Sequence, residues 1–301
     1  MKNIFSKNTL LTMLLVLIWG ATWPINKLAV AYTPPFFYAG IRTFIGGLIL
    51  AVVIHKTFHK LKFKENWLAY TIAGFFNTFL FFGLHTVGLL YLPGGLFSVL
   101  VYIQPILLGV FAWLVFGENF TGIKLFGLLL GFAGIFMASL DGITTHISII
   151  GVSLALLTGI SWTFGVIYVK KVSEKVDPFW IVVMQNIIGG FALLVLALIF
   201  ESWNDIVWNI PLSVGMMYGI IFGVSIAYLI YYSLINAGEA SKVGVVTFLV
   251  PIISVLLSVV FLNEPFTLEL FIGMVLVGLS ILLVNLDPKN YPIKRRGLSR
   301  K

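Results

Sequence analysis

Long apolar runs separated by short polar connections follow one another along the whole chain. A helix needs about 20 predominantly apolar residues to cross a bilayer, and ten runs approach or exceed that length. They occupy approximately residues 9–31, 35–55, 67–91, 94–116, 121–140, 148–170, 178–200, 211–236, 243–262 and 266–286. The pattern predicts an all-α integral membrane protein with ten transmembrane helices, which places both termini on the same side of the membrane.

The connections between these runs are too short to form a soluble domain, and the longest are residues 55–66 and 201–211. Any functional site is therefore expected inside the helices. The first run follows Lys2 and Lys7 as the core of a signal peptide would, but it is longer than such a core and lacks a small-residue cleavage site. We interpret it as a retained transmembrane helix.

The second half of the sequence repeats the first half. The offset that places Trp19 on Trp162 also places Lys27 on Lys170, and a slightly larger offset places Pro105 on Pro251. Two nearly constant offsets indicate a duplication. Because each half contains an odd number of spans, the halves must enter the membrane from opposite sides, which is typical of secondary transporters. We predict two inverted five-helix repeats around a central cavity, at residues 1–143 and 144–287, followed by a basic tail at 288–301.

The distribution of charge predicts the orientation. Only 10% of the 301 residues are charged and 60% are hydrophobic, whereas soluble domains carry roughly 25% charged residues. With a cytoplasmic N-terminus, every Lys and Arg except Lys27 and Arg42 falls at the cytoplasmic side. The positive-inside rule therefore predicts a multi-pass plasma-membrane protein with both termini in the cytoplasm, and we interpret the tail as an electrostatic lipid anchor.

The same distribution limits the partners that we expect. The basic residues are spread over several loops and a tail instead of one face, which argues against nucleic-acid binding. The chain has no cysteine, so disulfides and cysteine-ligated metals are excluded. We expect a small-molecule substrate and the lipid bilayer as partners, with no metal and no cofactor. Proton coupling stays open, as does the choice between a monomer and a weak homo-oligomer.

Several motifs occur in a characteristic order along the chain. They are WGATW at 19–23, the prolines and arginine that open the second run (Pro34, Pro35 and Arg42), the mid-run Pro105 and Pro251, and the acidic turns at Glu118 and Glu264. Together they resemble the drug/metabolite transporter superfamily, specifically its ten-helix EamA-type members, over residues 9–286. The resemblance implies a ten-helix bundle with a central cavity that carries amino acids or other metabolites.

Pro105 and Pro251 predict where a substrate would bind. Proline removes an amide donor from a helix, and a bilayer tolerates such a break where protein or a water-filled cavity compensates. Polar and aromatic residues share helix faces near this level; the cavity candidates are Trp19, Trp23, Asn26, Asn77, Ser98, Tyr102, Gln104, Trp162, Ser225, Tyr228 and Tyr232. Ordinary core packing or an interfacial aromatic belt stays open as the alternative for each aromatic residue. A packing kink stays open as the alternative for each proline.

Ionisable groups inside the predicted spans are few. Arg42 lies two turns into the second run and Lys27 lies near the outer end of the first. Arg42 could bind a carboxylate, or it could hydrogen-bond helix-end carbonyls. No carboxylate falls in the middle of a span, which argues against a proton-coupled exporter of organic cations. We interpret His85 as a hydrogen-bonded structural histidine.

Two other patterns predict structural contacts. Gly127, Gly131 and Gly134 in the fifth run predict close packing against the tenth run, where Gly273 and Gly278 lie. The acidic turns at Glu118 and Glu264 are predicted to interact with the N-terminal ends of helices.

The sequence thus predicts a secondary transporter of a small metabolite, such as an amino acid, that works by alternating access, with export implied by the resemblance. A membrane-embedded enzyme is one alternative, but the chain has no HExxH pair, no GxSxG elbow and no nucleotide-binding loop. A receptor or assembly factor is another. Among transporters, a lipid-linked or sugar substrate stays open.

Overall fold

The structure is a computed structural model that describes residues 7–104, 107–108, 110–111, 114, 122–144, 148–236 and 249–285. Secondary structure in this part of the chain is entirely helical, without a strand. The helices, labelled in chain order, are α1 (Lys7–Val30), α2 (Pro35–Val53), α3 (Phe63–Gly88), the start of α4 (Gly94–Val101), α5 (Gly122–Thr144), α6 (Ile149–Val172), α7 (Pro178–Phe200), α8 (Ile210–Tyr218, Gly219–Ile226 and Ala227–Asn236), α9 (Leu249–Leu262) and α10 (Leu268–Asn285).

Six of the described helices are long and apolar enough to cross a membrane, namely α1, α2, α3, α6, α7 and α8. Their bounds agree with the hydrophobic pattern, and α7 begins and ends at the predicted residues. Large apolar side chains such as Leu198 and Phe261 point away from the protein, as a lipid-facing surface requires. The prediction of an all-helical, multi-pass membrane protein is confirmed.

Local sequence explains where several helices begin. Pro178 occupies the first turn of α7, where a missing amide donor costs nothing, and the Asp177 side chain accepts a hydrogen bond from the Phe179 nitrogen at 3.0 Å. Asn209 accepts from the Leu212 nitrogen at 2.9 Å in the same way at the start of α8. Both are side-chain N-caps, which satisfy amide groups that the helix itself leaves unpaired.

Helices α2 and α7 cross closely along paired glycines. A methyl group added to Gly47 would lie 2.9 Å from Ile187 Cγ1, and one added to Gly190 would lie 2.6 Å from the backbone nitrogen of Phe44. Such distances leave no room for a side chain. Small residues let membrane helices approach to backbone contact, where dispersion forces replace the missing hydrophobic effect.

Helices α5 and α10 are also in close contact. A methyl group added to Gly134 would lie 2.8 Å from the Val277 nitrogen, and one added to Gly273 would lie 2.6 Å from Ala138 Cβ. The predicted packing between these two helices is therefore confirmed at Gly134 and Gly273. It is wrong at Gly278, because a Cβ there would have no described atom within 4 Å.

Two helices contain a π-helical segment, Phe75–Leu80 in α3 and Gly219–Ile226 in α8. The first packs against α7 and α6, and the second packs against α2 and α1. In a π segment the hydrogen bonds run from i to i+5, and such segments occur frequently at functional sites. Within the second segment, the Ser225 side-chain hydroxyl also donates at 2.8 Å to the carbonyl of Ile220.

Candidate functional site

A polar cluster is buried between α1, α2 and α8. Asn26 is fully buried on α1, and its Oδ1 accepts hydrogen bonds from the Tyr38 hydroxyl at 2.8 Å and from Nη1 of Arg42 at 3.2 Å. The Tyr38 hydroxyl also lies 3.0 Å from the carbonyl oxygen of Gly215 on α8. The structure thus joins two of the predicted residues, Asn26 and Arg42, by a direct hydrogen bond. It adds a third residue, Tyr38, which sequence reasoning missed.

Arg42 is only 1% exposed, and aromatic rings surround its guanidinium. Cζ lies 4.6 Å from the ring centroid of Phe82 and 5.3 Å from that of Tyr38, so the charge benefits from cation–π attraction. The start of the π segment of α8 is also close, since a methyl group on Gly219 would lie 3.0 Å from Arg42 Cδ. The spacing of Tyr38 and Arg42, four residues apart on one helix face, is the sequence signal that could have identified Tyr38.

A second buried polar pair joins α3 to α7. Nδ2 of Asn77 donates to Oε1 of Gln185 at 3.0 Å. Asn77 lies within the π segment of α3 and packs against Gly165 of α6, where even a methyl group would collide with its amide. Gln185 of α7 is the repeat counterpart of Arg42 of α2, at the offset that aligns Trp19 with Trp162.

Trp23 and Trp162 lie in aromatic clusters. The Trp23 ring lies 4.6 Å from His85 and 5.9 Å from Phe97, measured between ring centroids, and Trp162 lies 4.7 Å from Phe81. Both ring nitrogens of His85 lack a hydrogen-bond partner in the part of the chain that the structure describes. The prediction that His85 is a hydrogen-bonded structural histidine is therefore wrong, and its ring packs among aromatic side chains instead.

The remaining candidates are distributed over several helices. Trp19 contacts Tyr231 of α8, with ring centroids 5.6 Å apart. The Ser98 hydroxyl donates to the carbonyl of Gly95 in its own helix at 2.6 Å. Tyr102 is buried directly after the described start of α4, and Gln104 is half-buried with its side-chain Oε1 unpaired among the described residues. These contacts do not unite all the predicted residues in one cluster.

Two candidates on α8 lie toward its second half. Ser225 donates to Ile220 within the helix and lies 3.3 Å from the Gly46 carbonyl oxygen of α2. Tyr228 lines a small crevice of about 10 Å³ between α2, α7 and α8, which has room for about one water molecule and is lined otherwise by apolar side chains. Tyr232 lies in α8, but its side chain is outside the described residues.

The two prolines cannot be compared as a pair. Pro105 lies outside the described residues. Pro251 is buried in α9, two residues after the described start of that helix at Leu249. The predicted pair of mid-helix breaks stays a prediction.

Contacts at one end of the bundle join α1, α3, α4 and α9. Lys27 Nζ of α1 donates to the carbonyl of Leu89. The carboxylate of Glu264, just after α9, accepts from the backbone nitrogens of Gly94 and Gly95 at 2.7 and 3.0 Å. Glu264 therefore interacts with a helix N-terminus, as a carboxylate should, but the helix is α4 and not α10, into which its own turn leads. Glu118 lies outside the described residues.

A similar cap, which sequence reasoning missed, joins α7 to α2. Glu201 Oε1 and Oε2 each accept one hydrogen bond at 2.7 Å, from the backbone nitrogens of Phe36 and Phe37. These amides belong to the first turn of α2 and have no partner within the helix. Two charge-assisted hydrogen bonds thus tie the end of one long helix to the beginning of another.

Among the described residues, no group of three or more His, Cys, Asp or Glu side chains is placed to hold a metal ion. The ion pairs there are Lys60–Asp177 at 3.4 Å and Lys62–Glu65 at 3.6 Å. Neither involves Arg42, so the buried guanidinium has a hydrogen-bonded amide as neighbour but no described carboxylate.

An apolar multi-helix bundle with polar side chains buried between its helices defines a multi-pass membrane protein. Residues 7–140 and again 149–286 match the model of the EamA-like transporter family. The chain belongs to this family, and several of its relatives are named as transporters or as an efflux pump.

The similar proteins cover nearly the whole chain. It is 44% identical over 296 residues to YvbV of Bacillus subtilis, named an uncharacterized transporter, covering 98% of this chain and 97% of that protein. It is 25% identical to a probable amino-acid metabolite efflux pump of Escherichia coli, covering 90% of this chain and 92% of the pump. A solved crystal structure at 18% identity superposes with a TM-score of 0.66 over 92% of this chain and 96% of the other, which supports the fold.

Proposed function

We propose that this protein moves a small metabolite, an amino acid or a related compound, across the plasma membrane by alternating access. One observation carries the proposal: the contacts between α2 and α7 obey the exchange expected of two inverted repeats. Gly190 is the repeat counterpart of Gly47, and Ile187 is the counterpart of Phe44. Gly47 contacts Ile187. When each of these two residues is replaced by its repeat counterpart, the result is the pair Gly190 and Phe44, and this second contact is also present. Two contacts that are exchanged for each other in this way are the signature of a two-fold axis.

The neighbours of the other helices support the same symmetry. α1 packs against α8 and α9, while α6, its counterpart in the second half, packs against α3 and α4. The π segments of α3 and α8 fall at matching places in the two halves. We therefore assign residues 1–143 and 144–287 to two inverted five-helix repeats, ten spans in total, related by an axis in the membrane plane.

Inverted repeats give a physical reason for alternating access. Two halves of similar structure and opposite orientation can exchange conformations, which opens the centre first to one side and then to the other. In this conformation the contacts between Glu264, Gly94 and Gly95 hold the ends of α4 and α9 together. We assign this end to the outer side, because the positive-inside rule places the N-terminus in the cytoplasm.

The polar and aromatic candidates of α1, α3, α4, α6 and α8 line the proposed route. Trp19, Trp23 and Asn26 belong to one face of α1, and Asn77 of α3 faces the second half of the bundle through Gln185. Export is the direction that the name of the Escherichia coli relative favours.

Flux through purified protein in liposomes tests the proposal. Liposomes preloaded with one unlabelled amino acid should accumulate the same labelled amino acid by exchange, above the level of protein-free liposomes, for at least one member of a panel of the common amino acids. Flux of sugars but of no amino acid would contradict the substrate class. Absence of flux for amino acids, amines and sugars, with folded protein in sealed liposomes, would contradict transport.

A further inference from the structure

The guanidinium of Arg42 offers two unpaired donors inside the bundle. Nη1 is occupied by Asn26, but Nε and Nη2 have no hydrogen-bond partner among the described residues although both are buried. Nε–H and the adjacent Nη2–H lie on the same edge of the planar group and point in parallel directions. A carboxylate presents two oxygens at the matching spacing, so this edge can bind one carboxylate through two parallel hydrogen bonds.

Leaving such an edge empty is costly. A charge within the membrane is unfavourable unless it is compensated, and unpaired buried donors add their own desolvation penalty. The Arg42 guanidinium carbon lies over the Phe82 and Tyr38 rings, and this cation–π attraction compensates in part. The two rings cannot accept the in-plane hydrogen bonds of Nε and Nη2.

Three described carboxylates at helix ends have partners other than Arg42. Glu201 accepts from the first turn of α2, Glu264 accepts from the first turn of α4, and Asp177 pairs with Lys60. Phe37 lies five residues before Arg42, and a helix rises about 1.5 Å per residue, so the Glu201 cap is about one and a half turns away along α2. The chain thus builds a cation site at Arg42 without supplying the anion from its described part.

The corresponding position in the second half is neutral. Gln185 is the repeat counterpart of Arg42, and it is paired with Asn77. A residue needed only to hold the pseudo-symmetric fold together would be replaceable by the same amide in both halves. The asymmetry therefore suits a substrate whose two ends differ in charge.

We infer that Arg42 binds the carboxylate of the transported substrate through Nε and Nη2, with Asn26 and Tyr38 as positioning residues. The inference rests on the proposed function and names the substrate class: a monocarboxylate such as an amino acid. A cationic amine without a carboxylate would meet an uncompensated Arg42 and be repelled. Asn26 fixes the orientation of the Arg42 guanidinium because its Oδ1 accepts a hydrogen bond from Nη1. Tyr38 in turn fixes Asn26, because its hydroxyl donates to the same Oδ1.

The first test needs no variant. Unlabelled L-phenylalanine, L-phenylalaninamide and phenethylamine are compared as competitors of the exchange of labelled L-phenylalanine. If the protein does not carry phenylalanine, the amino acid that it does carry is used instead, together with its amide and its decarboxylated amine. The concentration that halves exchange should be at least about 30-fold lower for the amino acid, which has the carboxylate, than for its amide or the amine. This is the factor expected when one partner of a buried charged hydrogen bond is removed. Equal competition by the amide would overturn the inference, while flux itself would still support transport.

The second test changes the protein. Arg42→Gln should weaken exchange of the carboxylate probe by about 30-fold or more. Arg42→Lys keeps the charge but cannot form two parallel hydrogen bonds to one carboxylate, and it should retain part of the exchange activity. Lys56→Gln removes the same charge from an exposed residue and should leave exchange unchanged. If Arg42→Gln transports the carboxylate as the wild type does, the assignment is wrong. If that variant does not fold, the competition series with wild-type protein decides the question alone.

Discussion

Gly190 of α7 lies so close to Phe44 of α2 that a methyl group on Gly190 would lie 2.6 Å from the Phe44 backbone nitrogen. The two helices would therefore have to separate to accommodate Gly190→Ala. Overpacking of this kind costs typically about 1–3 kcal/mol, which should lower the temperature of unfolding by several degrees in detergent. Thermal unfolding followed by circular dichroism measures the change.

Gly278→Ala is the matched control, because a methyl group there meets no described atom within 4 Å. Alanine also favours the helix more than glycine does, so this variant should be as stable as the wild type or slightly more stable. If both variants were destabilised equally, the loss of stability in Gly190→Ala could not be attributed to the backbone contact at the α2–α7 crossing.

Glu201 is far from α2 in the sequence but should stabilise the start of that helix through direct hydrogen bonds. Glu201→Ala removes both acceptors of the Phe36 and Phe37 amides, and loss of a helix N-cap costs about 0.5–2 kcal/mol. Glu201→Gln keeps one acceptor oxygen and should recover part of the loss. Asp205→Ala, in the same connection but exposed, should change stability by less than about 0.5 kcal/mol. An unfolding temperature for Glu201→Ala equal to that of Asp205→Ala would contradict the cap.

The absence of cysteine makes the orientation directly measurable. Lys56 and Asn204 are both exposed, in the connections after α2 and after α7, and the proposed topology places them on opposite sides of the membrane. In intact cells a membrane-impermeant maleimide should label Asn204→Cys and should label Lys56→Cys only after permeabilisation. The reversed pattern would invert the topology, and labelling of both in intact cells would contradict the number of spans between them.

The sequence predicts the helices well because hydrophobicity alone determines which segments enter the membrane. It also predicts the α5–α10 contact at Gly134 and Gly273, since small residues mark close helix packing. It does not predict the cap by Glu201, because the carboxylate and the Phe36 amide are 165 residues apart and meet only through the α2–α7 crossing. The unpaired edge of Arg42 is likewise a property of its surroundings: the sequence shows a cation within a span but not which side chains reach it.

The central claim, alternating access around a buried site, is tested most directly by locking one end of the bundle. A Cβ on Gly94 would lie 3.5 Å from the Ser258 side-chain oxygen of α9, so Gly94→Cys with Ser258→Cys should form a disulfide after a small adjustment of the side chains. Amino-acid exchange in liposomes is then measured before oxidation, after oxidation and after reduction. We expect exchange in the reduced protein, its loss on oxidation and its return with reductant, whereas undiminished exchange by fully cross-linked protein would contradict alternating access at this end.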